Sequence, residues 1–216
     1  MDLSFYPLTL EAVDQAQAES LCLFVGEDER PLQGLAGLVD WRLAGGLSRF
    51  LRSGLVTGKS GDALLTMTGP RLGFEKLFIF GMGPGGQPEE EIATRLAEGL
   101  RKLGAAGVRG AAFDLPVGIS VNVGVRTLLD ERDGPSRAFV FGPDPAALVS
   151  ALSNAATRGQ DAPVVERRVV KVPGPPRPPP IGPQAAIVPQ PTTLARPTPV
   201  NPAPDPHDRP GKKKRR

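Results

Sequence analysis

Residues 1–160 predict an α/β layered domain, and three observations carry that expectation. Short β-branched or aromatic runs alternate with stretches of helical periodicity along this segment. Most of the runs are continuously apolar rather than alternating, as in strands covered on both faces. The helix breakers are concentrated elsewhere: of 25 prolines, 15 lie after Val172, in the last 44 of 216 residues. Material able to build a core therefore precedes the proline-rich stretch.

Six strands are expected, at Leu3–Leu8, Leu21–Val25, Ala63–Thr68, Lys76–Phe80, Gly110–Phe113 and Arg137–Phe141. Helices fall between them. Pro88 suits a first helical position, and Glu89, Glu90 and Glu91 set negative charge at the positive end of the helix dipole. Ile92, Leu96, Leu100 and Leu103 follow at helical spacing, and Gly104 is expected to stop the run. Asp144-Pro145 opens another helix, with Leu148, Val149, Leu152 and Ala156 facing inward. A third helix is expected over roughly Leu32–Leu51, weakened by Gly45-Gly46. Residues 119–129 fit two patterns: Ile119, Val121, Val123 and Val125 alternate like a strand, whereas Val121, Val125, Leu128 and Leu129 fit a helix. The strands on either side favour a crossover helix.

Charge divides at nearly the same place as proline. Residues 1–161 carry 15 basic and 20 acidic side chains, and residues 162–216 carry 11 basic and 3 acidic. A mildly acidic globule (1–160) is thus expected to lead through a linker or short extended arm (161–172) into a disordered, proline-rich tail (173–216). Val164–Val172 would form the arm, and Lys212, Lys213, Lys214, Arg215 and Arg216 end the chain as a polyanion-binding candidate.

A single cysteine, Cys22, excludes an internal disulfide framework and a cysteine zinc cage. The single histidine, His207, lies in the tail. No apolar stretch approaches the length of a membrane span, and Met1-Asp2-Leu3-Ser4 lacks the features of a signal peptide. The expectation is a cytoplasmic protein with no membrane partner and no cofactor.

Two segments imitate phosphate loops. Gly81-Met82-Gly83-Pro84-Gly85-Gly86 is a literal GxGxxG between a strand and a helix, and Asp114 closes the following strand where a ribose-binding acid would sit. Against this, Pro84 removes one N–H, Glu89–Glu91 crowd the helix terminus with negative charge, and Asp114 lies 28 residues beyond Gly86. A structural strand-to-helix turn is the favoured reading, with Gly81, Gly83 and Gly86 kept as the cofactor-binding candidates. The second imitation, Gly54-Leu55-Val56-Thr57-Gly58-Lys59-Ser60, is one residue short of a P-loop and reads as a helix-to-strand turn. No HExxH, GxSxG or ligand-spaced His/Cys/carboxylate cluster occurs, so no catalytic or metal residue is assigned. Asp130, Glu131 and Asp133 read as a solvated helix end, and Trp41 and Phe50 as core.

The order of these segments resembles the N-terminal domain of the cytosol (leucyl) aminopeptidase family. The likeness rests on Leu21–Asp28, on Phe50-Leu51-Arg52-Ser53-Gly54 leading to Val56-Thr57-Gly58-Lys59-Ser60-Gly61-Asp62, and on Lys76-Leu77-Phe78-Ile79-Phe80-Gly81-Met82-Gly83. It covers residues 1–112 closely and 113–160 loosely. The resemblance implies a three-layer, macro-like α/β/α sandwich with a mixed sheet. In that family a following domain holds two metals with a lysine and carboxylates, including an Asn-Thr-Asp-Ala-Glu-Gly-Arg segment; here that place is taken by Pro173–Pro180. The expected role is therefore a non-catalytic binding or regulatory module. Its partner would be a protein, an aminopeptidase or a second copy, or, through the basic tail, nucleic acid. Two alternatives stand beside it: a nucleotide or ADP-ribose binder using Gly81–Gly86, and a subunit or remnant of a two-metal leucyl aminopeptidase.

Overall fold

The computed structural model describes residues 2–158, the last three as backbone, and the backbone of 167–169. These lie within one compact unit, Met1–Gly174; the other, Pro175–Arg216, is outside the described residues, as are Lys212–Arg216, His207 and most of the expected arm.

The elements run β1 (Asp2–Pro7), α1 (Leu10–Gln15), β2 (Ser20–Val25), α2 (Gly34–Arg42), α3 (Gly46–Arg52), β3 (Ala63–Met67), β4 (Lys76–Gly81), α4 (Glu89–Ala105), β5 (Gly110–Asp114), α5 (Val121–Asp130), β6 (Arg137–Gly142), α6 (Pro145–Arg158) and β7 (Arg167–Val169). The strands form one mixed sheet in the order β3-β4-β2-β5-β6-β1-β7. Every neighbouring pair is parallel except β3–β4.

The continuous apolar strands are explained by two cores. Cys22 and Phe24 of β2 face α4, α5 and α6, joining Phe80, Leu96, Leu100, Val125 and Leu128. Leu21, Leu23 and Val25 face the other way, onto Ala12, Val13, Leu35, Val39 and Leu47 of α1, α2 and α3. A strand buried on both faces has no polar alternation to show. The architecture is the three-layer α/β/α sandwich with a mixed sheet.

Several expectations shift in detail. The helix expected over Leu32–Leu51 is two helices. Ala44 (φ 51) and Gly45 (φ 77) are both left-handed, which ends α2, and Asp40 turns its carboxylate onto the Ser48 N–H and hydroxyl at 3.0 and 2.6 Å to start α3. Trp41, expected in the core, is 70% exposed on α2. Gly104 does not stop α4 but lies within it, and a glycine is required there because Asp133 O packs where a Cβ would stand. The stop is Gly107 (φ 75), where the Val108 N–H donates to Leu103 O at 3.0 Å in a Schellman closure. Pro88 caps α4 rather than opening it. Residues 121–130 are the crossover helix. The short α1 escapes periodicity altogether; Thr9 caps it by accepting from the Ala12 N–H at 3.2 Å.

Candidate functional site

Parallel strands deliver their C-terminal ends to one edge of a sheet, and ligands of open α/β folds bind in the crevice outside those ends. Here that edge gathers the loops after β2 (Gly26–Gln33), β4 (Met82–Gln87) and β5 (Leu115–Ser120). The turn Thr57–Asp62 is packed against the first two. The two phosphate-loop imitations therefore touch each other. Gly83 N–H donates to Gly58 O at 2.8 Å, and Glu27 N–H donates to Gly83 O at 2.8 Å. Gly58 (φ 86) is required by this approach, since a Cβ there would meet Gly26 O at 2.5 Å. Asp62 closes the turn internally, accepting from the Thr57 N–H and hydroxyl at 2.7 Å each. These bonds hold the Asp62 carboxyl below the usual carboxylate range.

A phosphate cradle needs free N–H groups, and this crevice has spent most of its own. In the Gly81–Gly86 loop, Gly81 N–H donates to Asp62 O and Met82 N–H to Val25 O, both at 2.9 Å. Gly83 N–H is taken by Gly58, and Gly85 N–H donates to Asp28 Oδ1 at 2.9 Å. Pro84 has no N–H to offer. The side chain of Gln87 closes the loop further, donating to Met82 O at 2.8 Å and Pro84 O at 2.5 Å.

The same occupation recurs at α2. Glu29 accepts from the Gly26 N–H at 3.1 Å and the Gln33 N–H at 2.9 Å. Asp114, at the end of β5, accepts from the Leu35 N–H at 2.8 Å. Gly34 (φ 54) lets the helix start that close, because a Cβ would collide with the Asp114 carboxylate. Loss of hydration pushes the Asp114 carboxyl up to about 7. The Leu35 N–H and its own N–H oppose that rise, while the charge of Glu29 adds to it.

Asp114 thus lies where the sequence placed it, at the end of the strand after the glycine loop, but its partner is a helix N-terminus of its own chain. Gly81, Gly83 and Gly86 lie in the loop as expected. Glu89, Glu90 and Glu91 stand in the first turn of α4 as expected; Glu89 accepts from the Ser120 N–H at the start of α5, and Glu91 pairs with Arg95 at 3.5 Å. The loop's acid is Asp28. The run Glu27-Asp28-Glu29 right after an apolar strand was the available signal, legible only once the strand order places β4 and β5 on either side of β2.

Beside the crevice, an open cleft of about 610 Å³ is lined by Arg30, Leu32, Asp40, Trp41 and Ser48, among others. Arg30 donates to Glu29 O at 2.6 Å, and Asp40 is engaged by Ser48. Among the described residues no group of three His, Cys, Asp or Glu stands at metal-holding geometry. Cys22 is buried, with its thiol pushed well above the usual range by loss of hydration. No helix among these residues is long and apolar enough to cross a membrane.

The loops after β2 and β4 and the turn Thr57–Asp62 all lie within the segment that matches a known family. Residues 22–124 match the N-terminal domain of the cytosol aminopeptidase family. Among solved structures, a tomato leucine aminopeptidase mutant is similar at 14% identity and TM-score 0.49, over 72% of this chain and 35% of the enzyme. The chain thus spans about a third of that enzyme's length. The macrodomain of Mycobacterium tuberculosis DarG is similar at 17% identity and TM-score 0.50, over 66% of this chain and 98% of its own. An Oceanobacillus iheyensis macrodomain mutant with ADPR gives 12% identity and TM-score 0.52, over 72% and 90%. At such identities the likeness to the two macrodomains is one of fold alone. No curated protein matches the sequence.

Proposed function

We propose that the aminopeptidase-type domain serves as a non-catalytic binding module whose partner is a protein, and that its macro-like crevice is not a nucleotide site. One observation carries this reading. Four amides of the crevice loops, on Gly85, Gly26, Gln33 and Leu35, already donate to Asp28, Glu29 and Asp114. A phosphate taking these amides would have to displace the carboxylates, and would meet the charge of Asp28 and Glu29 while doing so. Trp41 on α2, Met67 on β3 and Val117 in the loop after β5 are exposed apolar side chains at separate places, each open to a protein partner.

Calorimetric titration of the full chain with ADP-ribose, ADP and NAD tests the reading, and the expected result is no saturable heat. Saturable binding of any of them favours a nucleotide binder on the same loops. Incubation with a leucyl peptide and manganese or zinc is expected to release no amino acid; steady release would favour the aminopeptidase alternative.

A further inference from the structure

The β3 edge of the sheet carries an inference independent of the crevice. Gly81 N–H donates to Asp62 O and Thr68 N–H donates to Glu75 O, which sets the phase of the β3–β4 ladder. Even-numbered residues between Asp62 and Thr68 therefore turn their peptide groups toward β4. Ala63, Leu65 and Met67 turn theirs outward, where no further strand stands among the described residues.

The side chains of these three residues share the face of Phe80, Phe78 and Lys76, their partners in register. Leu65 is 55% and Met67 71% exposed. Natural edges are normally guarded by a charge, a proline or a bulge. The stretch Ala63-Leu64-Leu65-Thr66-Met67 has none of these, and its five pairs to β4 run without a bulge. Gly61 (φ 90) and Gly69 (φ 69) turn the chain away at both ends, leaving Lys59 and Arg71 outside the strand.

We propose that β3 pairs antiparallel with β3 of a second copy of this chain, about a two-fold axis through Leu65. The outward groups are symmetric about that residue. In this register Leu65 faces Leu65 of the second copy and Ala63 faces its Met67, so all three outward N–H and all three outward C=O groups of each strand find a partner. A closed isologous contact of this kind uses the same patch twice and leaves no strand end to propagate. A second copy is favoured over an unrelated strand because this register satisfies every outward group and sets the exposed Leu65 and Met67 of both copies side by side.

The contact is about 17 Å long. On its own a contact of this length falls below the roughly 1,200 Å² of a standard interface, so the dimer is weak and reversible.

Sedimentation velocity on the full chain, over concentrations up to about 1 mM, should show a monomer–dimer equilibrium in that range. Leu65→Pro removes an outward N–H that folding does not use, and Met67→Lys sets a charge on the edge; each should weaken the dimer at least about tenfold with an unchanged thermal midpoint. Because the two Cα atoms of a hydrogen-bonded pair lie about 5.5 Å apart, Leu65→Cys should cross-link under mild oxidation. Leu55→Cys, equally exposed but off the strand, should not; Cys22 is buried and does not compete. A chain that stays monomeric throughout overturns the proposal, as does a dimer that survives Met67→Lys, or cross-linking at residue 55 as fast as at residue 65. Failure here leaves the nucleotide titrations untouched, since they read the other loops.

Discussion

Asp114 is held between opposing influences: dehydration drives its carboxyl toward neutrality, while the Leu35 N–H favours the anion. Its folded pKa of about 7 lies above the ordinary aspartate value of 3.8, so between these values the folded chain binds more protons than the unfolded one. The stability Asp114 contributes is therefore full below the lower value and is lost as pH rises through the higher. Asp114→Asn keeps an acceptor for Leu35 without the charge, and its thermal midpoint should lack that fall between pH 3.8 and about 7. Parallel profiles for the two proteins would contradict the assignment. The glycines make a second residue-level contrast. Gly58→Ala meets both a left-handed φ and the Gly26 carbonyl, whereas Gly61→Ala meets a left-handed φ of 90 and open space. Denaturant unfolding should show a loss of about 1 kcal/mol for Gly61→Ala and about 3 kcal/mol for Gly58→Ala. The sequence marked both positions as turn glycines, but could not distinguish them, because the difference is a backbone brought from 32 residues away.

Helices with complete local signals were legible as elements. Asp144 accepts from the Ala146 and Ala147 N–H groups at 2.9 and 3.2 Å, and Pro145 opens α6. Asp144→Ala should lower stability by about 1 kcal/mol, read as a drop in unfolding midpoint with the m-value unchanged. In α4 the expected stripe Ile92, Leu96, Leu100 and Leu103 is buried. The segment from Leu32 to Leu51 misled for a physical reason. Its apolar residues keep helical spacing across a break that is made by Asp40 reaching forward to Ser48, and such a tertiary cap leaves no periodic trace. Trp41 was assigned to the core on the same continuous helix; once α2 ends at Arg42, its face of the helix is the outer one.

At the scale of the whole molecule, composition separates an acidic segment from a basic one. Lys212–Arg216 should contact polyanions non-specifically, with a salt slope of about −3.5 on single-stranded nucleic acid. Filter binding at several salt concentrations checks this, and binding that ignores salt or survives deletion of residues 211–216 would assign it to the globule instead. The crevice was half legible. The sequence displayed the glycine loop and Asp114, yet which acid closes which amide depends on β4 and β5 flanking β2, a consequence of strand order. The central claim is that these amides are already held by the chain's own carboxylates. A nitrogen–proton correlation spectrum of the full chain titrated with ADP-ribose tests it most directly, because each amide reports separately. The account predicts that the Gly26, Gln33, Leu35 and Gly85 resonances stay in place at millimolar ligand; their joint, saturable displacement would contradict it.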